Sequence, residues 1–345
     1  MKIGILGHLI KASDLKKGSK LLKVVPDRLL EEVIKNLKGR RGVFVASKFS
    51  AFGKVDGYLM AILLTASQVM NLPRELVRKR ILDVLVFAQD ELGVELIQLG
   101  ALTKSVTDAG QWIVKQQNPY KGYVNHGDAF TAAITIEAVE KIAEIKEIDL
   151  SEIALGIVGA YGTIGEAVSK MLALKCGKAI LVGRRMEGFE KLKGYIPTSC
   201  VMTTDLKAIK GADIVITVTN HPSALLSSSH LKEGAIVIDV AIPPNVSKEI
   251  IKERPDVTRI DGGLVRDAGV NIGFQIGPPK GTMYACVAEV IMQALENERK
   301  NYVGSVDLDH LRKTQEWSKK WGFTLAPFTC FGRPIQIEKP MKVTG

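Results

Sequence analysis

Residues 153–172 read IALGIVGAYGTIGEAVSKML, and this segment indicates the fold class. An apolar strand, Ile153 to Val158, leads into the loop Gly159-Ala160-Tyr161-Gly162-Thr163-Ile164-Gly165, which opens a helix. Glycines between a strand and a helix allow a tight turn and a close approach of the backbone to a pyrophosphate at the helix N-terminus. The segment therefore predicts a dinucleotide-binding unit. The alternative is that the glycines serve packing alone.

The residues after the next strand indicate which dinucleotide binds. The strand Ala179 to Val182 ends in Gly183-Arg184-Arg185, where a site for NAD would carry a carboxylate for the ribose 2′-hydroxyl. Two guanidinium groups at this position would instead pair with a 2′-phosphate. Arg184 and Arg185 therefore predict NADPH, and the alternative is a solvated pair at a helix start.

Short β-branched segments alternate with helical ones from residue 153 onward. This alternation predicts an α/β fold with a Rossmann-like, doubly wound parallel sheet. Ligands bind at the carboxyl ends of such strands, so Thr219, Asn220 and Ala241 are predicted to border the nicotinamide half of the cofactor. Their alternative role is that of ordinary loop residues. The predicted strands are Ile153 to Val158, Ala179 to Val182, Asp213 to Thr219 and Ala235 to Val240.

The pattern on either side of this sheet gives the predicted domains. Residues 1–127 form an N-terminal α/β substrate domain, with a first strand at the start of the chain and a helix that Gly93 ends after Leu92. Residues 128–150 form a connecting helix, and residues 151–275 form the NADP-binding domain. Residues 276–345 contribute two C-terminal helices, Met283 to Arg299 and Val306 to Trp321.

Composition excludes several classes of protein. The chain has 345 residues, of which 24% are charged and 46% hydrophobic, values typical of a folded globular protein. Its formal net charge of +10 favours an acidic ligand or partner, but the scattered basic residues and 6% aromatics argue against nucleic acid. Four widely spaced cysteines suggest neither a zinc site nor disulfides. We expect no transmembrane helix and no signal peptide, and a cytoplasmic location, with peripheral membrane contact compatible with the composition.

Cys286 differs from the other three cysteines in its surroundings. It follows Gly277-Pro278-Pro279, and with Thr282 as the N-cap it would lie in the first turn of a helix. The unpaired amides there stabilise a thiolate. Such a thiolate beside a nicotinamide could accept an acyl group from a thioester and hold it for reduction to an aldehyde. The alternative, a packing role, is what we expect for Cys176, Cys200 and Cys330.

Together, these segments resemble those of a known family. Met283-Tyr284-Ala285-Cys286-Val287-Ala288-Glu289, the loop GAYGTIG and the opening GILGHL are similar to the long-chain fatty acyl-(acyl-carrier-protein) reductases of cyanobacterial type, which form aldehydes. Leu99 to Thr103 matches the family's LGGFT-type segment. Gly127 to Ala132 matches its GNTHTA-type segment, with Asp128 and Phe130 as departures from that pattern.

The resemblance implies a substrate, a cofactor and a nucleophile. It implies NADPH as reductant, Cys286 as the residue that carries the acyl chain, and an acyl-carrier protein or coenzyme A as the donor. An aldehyde-consuming enzyme is a further implied partner. His126, Tyr284 and Thr103, in the matching segments, become candidate proton donors. Each also has a plain structural alternative in packing.

Other interpretations stay open. A weaker resemblance, through ILVGR and VIDVAIP, links the chain to shikimate-type dehydrogenases and glutamyl-tRNA reductases; the latter have their cysteine in the N-terminal domain, where this chain has none before Cys176. The rivals are a dehydrogenase of a small carbonyl substrate and a non-catalytic NADPH-binding sensor. For an acidic carrier protein, the helix with Arg74, Arg78, Lys79 and Arg80 is a predicted docking face, with a solvated helix as the alternative.

Overall fold

The computed structural model describes residues 1–17, 21–37, 39–115, 117, 119–221 and 224–338. The chain forms two compact units. The first contains Met1–Gly127, Asp267–Gly277 and Cys286–Gly304, and the second contains Asp128–Arg266, Pro278–Ala285 and the residues from Ser305 onward. Both units are built around sheets with helices, so the fold class is α/β, as predicted.

The first unit contains a five-stranded sheet in the order β2-β3-β1-β4-β5. All neighbouring strands are parallel except β2 and β3, which form an antiparallel pair. One face of this sheet packs on a helix through buried residues that include Leu6, Ile62 and Val84. The strands are β1 (Ile3–Leu9), β2 (Val43–Ala51), β3 (Val55–Thr65), β4 (Leu96–Leu99) and β5 (Tyr123–Asn125).

The helices of the first unit connect these strands. The longest of them ends where Gly93 adopts a left-handed conformation, with φ of 68°, as the sequence predicts. The α-helices are α1 (Asp27–Asn36), α2 (Ala66–Asn71), α3 (Arg74–Leu92), α4 (Leu102–Val106) and α5 (Gln111–Lys115), and the short 3-10 helices are Ala12–Lys17, Leu21–Val24 and Gly39–Gly42.

The second unit contains a six-stranded parallel sheet in the order β11-β10-β9-β6-β7-β8. Numbered within the unit, this is the order 3-2-1-4-5-6 of a Rossmann fold, whose order reverses between β6 and β9. The strands are β6 (Ala154–Val158), β7 (Lys178–Val182), β8 (Val201–Thr203), β9 (Ile214–Thr217), β10 (Ile236–Asp239) and β11 (Thr258–Asp261).

Helices and two small hairpins complete the second unit. Helix α6 packs against α7 and α10. The first residue of helix α9, Ala285, belongs to the second unit, and the rest of the helix belongs to the first unit. The elements are α6 (Asp128–Lys146), α7 (Thr163–Leu172), α8 (Lys248–Glu253), β12 (Leu264–Arg266), β13 (Thr282–Tyr284), α9 (Ala285–Leu295), α10 (Leu308–Trp321), β14 (Thr329–Cys330) and β15 (Arg333–Pro334), with 3-10 helices at Leu150–Glu152, Met186–Leu192, Leu206–Gly211 and Ser228–His230.

The structure differs from the sequence prediction around the C-terminal helices. Thr282 is not an N-cap: it lies in β13, opposite Arg266, and its hydroxyl donates to the Pro279 carbonyl at 2.7 Å. Met283 is also part of β13, so the helix begins two residues later than predicted. Residues 276–345 are divided between the two units and do not form a segment of their own, and the helix predicted as a connector belongs to the second unit.

Within the described ranges, no helix has both the length and the apolar content that a bilayer-spanning segment needs.

Candidate functional site

The glycine loop follows β6 at the carboxyl edge of the second unit's sheet. Gly159 has φ of 91°, and a Cβ atom there would lie 2.9 Å from the Val218 carbonyl oxygen. A Cβ atom at Gly165 would lie 2.1 Å from the Gly159 oxygen. These two glycines are therefore required by packing. Gly162 is the N-cap of α7, and Thr163 and Ile164 begin the helix in a half-exposed position. Their amides can bind an anion.

Tyr161 connects the loop to the predicted phosphate-binding arginines. A Cβ atom on Gly183 or Gly188 would lie 2.1 or 2.4 Å from the Tyr161 ring, so the ring fills the space that both glycines leave. Its hydroxyl accepts a hydrogen bond from the Arg185 backbone N–H at 2.9 Å. Arg184 and Arg185 are exposed, and neither guanidinium pairs with a carboxylate in the described part of the chain. Both side chains can therefore meet a phosphate.

Thr219 lies just after β9, the strand that adjoins β6 where the strand order reverses. Its hydroxyl donates to Asn245 Oδ1 at 2.8 Å, while Asn245 Nδ2 is buried and has no hydrogen-bond partner among the described residues. An orphaned amide donor in a polar site is typically satisfied by a ligand or water. Together with the glycine cradle and the exposed arginines, this donor makes the second unit a fit for a NAD(P)H dinucleotide.

Two predicted cofactor residues remain: Asn220, which is exposed and directly follows Thr219, and Ala241, which lies two residues after the end of β10. Asp239 at the end of β10 accepts hydrogen bonds from the Thr217 hydroxyl at 2.6 Å and from Arg259 Nε at 3.1 Å. Asp239 and Arg259 are both buried. Although burial alone would lower it, the pKa of Arg259 is raised by the nearby Asp239 and Asp261 carboxylates. Asp239 also accepts from the backbone N–H groups of Asn245 and Val246, so it ties the end of β10 to the loop that follows Ala241.

Cys286 lies in the first turn of α9, in the first unit. The adjoining Gly127 has φ of 74°, and a Cβ atom there would lie 2.5 Å from both the Cβ atom and the carbonyl oxygen of Cys286. The loop after β5 is thus packed directly on the cysteine backbone. Cys286 is half-buried. As predicted from the sequence, the thiol belongs to a helix N-terminal turn, although without the Thr282 cap.

A buried polar network joins β5 to α9 beside this cysteine. The side-chain amide of Asn125 donates to Glu289 Oε1 at 2.9 Å and to Gln293 Oε1 at 2.7 Å, and its Oδ1 accepts the Gly127 N–H at 2.6 Å. Asn125, Glu289 and Gln293 are fully buried. Because residues three and seven positions after Cys286 lie on the same helix face, the network fixes the face that carries the thiol.

His126 and Thr103 also belong to the first unit. His126 is 3% exposed, and its Nε2 lies 3.1 Å from the Gly304 carbonyl oxygen. It directly precedes the glycine that contacts Cys286. Thr103 is fully buried, and its hydroxyl donates to the Gly100 carbonyl at 2.6 Å. The Thr103 proton is thus engaged in the turn between β4 and α4.

Other predicted residues lie elsewhere. Tyr284 is the last residue of β13, opposite Leu264, in the second unit. Phe130, which departs from the family pattern, is fully buried in α6. Asn125 and Asn245 are site residues that sequence reasoning did not identify. Glu289 had a usable signal, since it lies in the quoted MYACVAE segment one helical turn after the cysteine.

The other cysteines have the environment expected of structural thiols. Burial raises the pKa of Cys176 to about 11 and also raises the pKa values of Cys200 and Cys330. At neutral pH these three thiols are protonated and are poor nucleophiles. None of the four cysteines forms a disulfide.

The predicted docking face on α3 requires a correction. Arg80 is 6% exposed, and its Nη2 donates to a backbone carbonyl, so it does not lie on the surface. Arg74 and Arg78 both pair with Asp108, and each donates its Nε to the Val106 carbonyl. Two of the four predicted cations are therefore paired with carboxylates and a third is buried, while Lys79 is exposed.

The second unit thus defines a Rossmann-like α/β protein with a glycine-rich loop at the carboxyl edge of its sheet, and residues 139–262 match the family model described as Shikimate / quinate 5-dehydrogenase. The chain is 25% identical to the aminotransferase PigE of Serratia sp. over 82% of its length and 34% of that protein. It is 24% identical to the long-chain acyl-[acyl-carrier-protein] reductase of Synechococcus elongatus over 71% of its length and 75% of that protein. It is 31% identical to the glutamyl-tRNA reductase of Methanocaldococcus jannaschii over 39% of its length and 33% of that protein.

The chain accordingly spans about a third of PigE and of the glutamyl-tRNA reductase, and three quarters of the acyl-carrier-protein reductase.

Proposed function

We propose that the protein is an NAD(P)H-dependent oxidoreductase, and more narrowly that it uses NADPH to reduce a fatty acyl thioester to a fatty aldehyde through Cys286. The observation that carries this proposal is the half-buried Cys286 in the first turn of α9, with Gly127 packed against its backbone. The likeness to the acyl-carrier-protein reductase supports the substrate class. The exposed Arg184 and Arg185 support NADPH over NADH.

The first half-reaction transfers the acyl group. The Cys286 sulfur attacks the carbonyl carbon of the thioester, a carbon–sulfur bond to the enzyme forms, and the bond to the donor sulfur breaks. The donor leaves as a thiol, with the proton that Cys286 gave up. The position of Cys286 in the first turn of α9, at the positive end of the helix dipole, favours the thiolate form of the nucleophile.

The second half-reaction releases the aldehyde. Bound NADPH supplies the hydride that reduces the acyl group. Hydride addition leaves a thiohemiacetal oxyanion, the carbon–sulfur bond breaks as the aldehyde carbonyl forms, and the departing Cys286 thiolate takes up one proton to restore the thiol. We assign proton handling to His126, next to Gly127, and to Tyr284, two residues before Cys286 along the chain. Thr103 acts as a positioning residue, because its hydroxyl holds the turn at Gly100.

The acyl donor is an acyl-carrier protein or coenzyme A, and an aldehyde-consuming enzyme is the partner expected downstream. The reaction is tested by incubating the protein with acyl-CoA in the absence of NADPH and measuring the intact mass. We expect a gain of one acyl group, its loss in Cys286→Ala, and its retention in the matched variant Cys330→Ala. An adduct that survives Cys286→Ala would contradict the proposal.

A second candidate is favoured by the family match of residues 139–262. In this alternative the protein is a shikimate- or quinate-like dehydrogenase that reduces a small carbonyl compound, and Cys286 serves packing. The same experiment discriminates the two. The dehydrogenase would form no acyl adduct, and Cys286→Ser would leave its turnover of a small carbonyl substrate nearly unchanged.

A further inference from the structure

Gln98 is a buried amide that the structure leaves without hydrogen bonds. It lies in β4 with 1% of its surface exposed, and neither Oε1 nor Nε2 has a partner among the described residues. Buried polar groups are nearly always paired, because desolvation without a hydrogen bond is costly. A primary amide with both of its polar atoms unpaired therefore suggests a ligand that offers an acceptor and a donor.

The strand register locates this amide. Gln98 is opposite Asn125 of β5 in a parallel pair, so the two side chains lie on the same face of the sheet. Asn125 is the residue that binds Glu289 and Gln293 of α9. Gln98 therefore adjoins the polar network that fixes the face of α9 carrying Cys286.

The amide also reaches the carboxyl edge of the sheet. A Cβ atom on Gly100 would lie 3.5 Å from Gln98 Oε1 and 3.7 Å from Nε2, which puts both atoms beside the half-buried end of β4. The next residue, Ala101, is exposed and has φ of 51° and ψ of −134°, a conformation that favours glycine. Strain of this kind concentrates at functional sites.

We infer that Gln98 is a further catalytic residue, and that its Nε2 donates a hydrogen bond to the thioester carbonyl oxygen while Cys286 attacks. This inference rests on the proposed function. As the carbon–sulfur bond forms, the carbonyl oxygen takes up the negative charge, and the Nε2–H stabilises it until the donor thiolate leaves. Coenzyme A and acyl-carrier protein both carry the acyl group on a pantetheine arm. This arm has an amide N–H two methylene groups from the sulfur, and Gln98 Oε1 accepts a hydrogen bond from it. An acyl-pantetheine thioester thus satisfies both unpaired atoms.

The test compares Gln98→Met with Gln293→Met. The amide of Gln293 donates to two backbone carbonyls and accepts from Asn125, so Gln293→Met should lower the melting temperature. Gln98→Met removes an unpaired buried amide, so its melting temperature should equal or exceed that of the wild type. Its single-turnover rate of acylation by acyl-CoA should fall about 100-fold. Its rate of alkylation by iodoacetamide, which passes through no oxyanion, should not change.

The outcomes distinguish a failure of the proposed function from a failure of the catalytic role of Gln98. If the wild type forms no adduct with acyl-CoA, the proposed function and the inference both fail. Should the wild type be acylated and Gln98→Met be acylated equally fast, the inference alone fails. A melting temperature for Gln98→Met as low as that of Gln293→Met, or an equal loss of iodoacetamide reactivity, would identify Gln98 as structural and overturn the catalytic role.

Discussion

Arg184 and Arg185 are the residues on which cofactor preference depends in our account. Replacing both with alanine removes two charge-assisted hydrogen bonds to a 2′-phosphate, each of which contributes about 1.5–3 kcal/mol. We expect the KM for NADPH to rise about 100-fold or more and the KM for NADH to change little. Steady-state kinetics with both cofactors measures this, with Lys178→Ala, an exposed cation at the start of β7, as control. Equal losses with both cofactors would contradict the assignment.

Gly127 is required by two constraints at once, its positive φ and its contact with Cys286. Gly127→Ala should displace the first turn of α9 and slow acylation by about tenfold or more, since misplaced reacting groups lose rate steeply. Gly53→Ala is the matched control, because Gly53 has φ of 64° and open space around it. It incurs similar backbone strain without touching the cysteine. Equal acylation rates in the two variants would show that the contact is unimportant.

At the scale of single residues, the sequence predicted part of the site. It predicted Cys286 in a first helical turn, because chain breakers precede it and a helical pattern follows. It could not predict the orphaned amide of Gln98, because hydrogen-bond satisfaction depends on every neighbour in the fold. Nor could it predict Asn125, whose partners Glu289 and Gln293 are more than 160 residues away.

At the scale of elements, the attachment of α9 to β5 depends on one side chain. Asn125→Leu leaves Glu289 Oε1 and Gln293 Oε1 without this buried donor, so we expect the free energy of unfolding to fall by about 1–3 kcal/mol per lost bond. Urea titration measures it. Asn71→Leu serves as control, since Asn71 is exposed and, within the described ranges, its side chain bonds only to Ser67 of its own helix. A loss no greater than that of the control would refute the role of the network.

Elements with a strong periodic signal were predicted well, and short ones were not. The strands now observed as β6, β7, β9 and β10 are each a buried, β-branched run. Strand β8 and hairpin β12–β13 have three residues per strand, too few to show a period. Because β13 runs straight into α9, the sequence prediction places Met283 and Tyr284 in the helix and Thr282 at its N-cap.

At the scale of the whole molecule, acid stability depends on half-buried carboxylates such as Asp261. Burial would raise its pKa, but hydrogen bonds from Gly332, Arg259 and Thr329 hold the pKa below its usual value of 3.8. A carboxylate with a lowered pKa in the folded state stabilises the fold above pH 3.8, and this contribution is lost as the pH falls below that value.

We therefore expect the melting temperature to drop steeply below about pH 4, and Asp261→Asn to make this dependence shallower while lowering stability at neutral pH. Thermal unfolding between pH 3 and 7 measures the effect. Asp309→Asn is the control, because Asp309 is exposed on α10 and pairs only with Arg312 of the same helix among the described residues. Identical pH profiles for wild type and Asp261→Asn would contradict the account.

The division of the chain into two units was only partly predictable. The sequence shows the change to alternating short strands and helices from residue 153 onward, after the predicted helix that starts at residue 128. The return of residues 267–277 and 286–304 to the first unit is not visible in the sequence, because the packing of α9 on β5 is a contact between distant segments.

The most direct measurement is a two-stage experiment on the isolated acyl-enzyme. The protein is acylated with a radiolabelled acyl-CoA, freed of donor by gel filtration, and then mixed with NADPH. Our account predicts that the label leaves Cys286 as aldehyde, one per NADPH consumed, and that NADH releases it far more slowly. Label that stays on the protein in the presence of NADPH, or that is released only as free fatty acid, would contradict it.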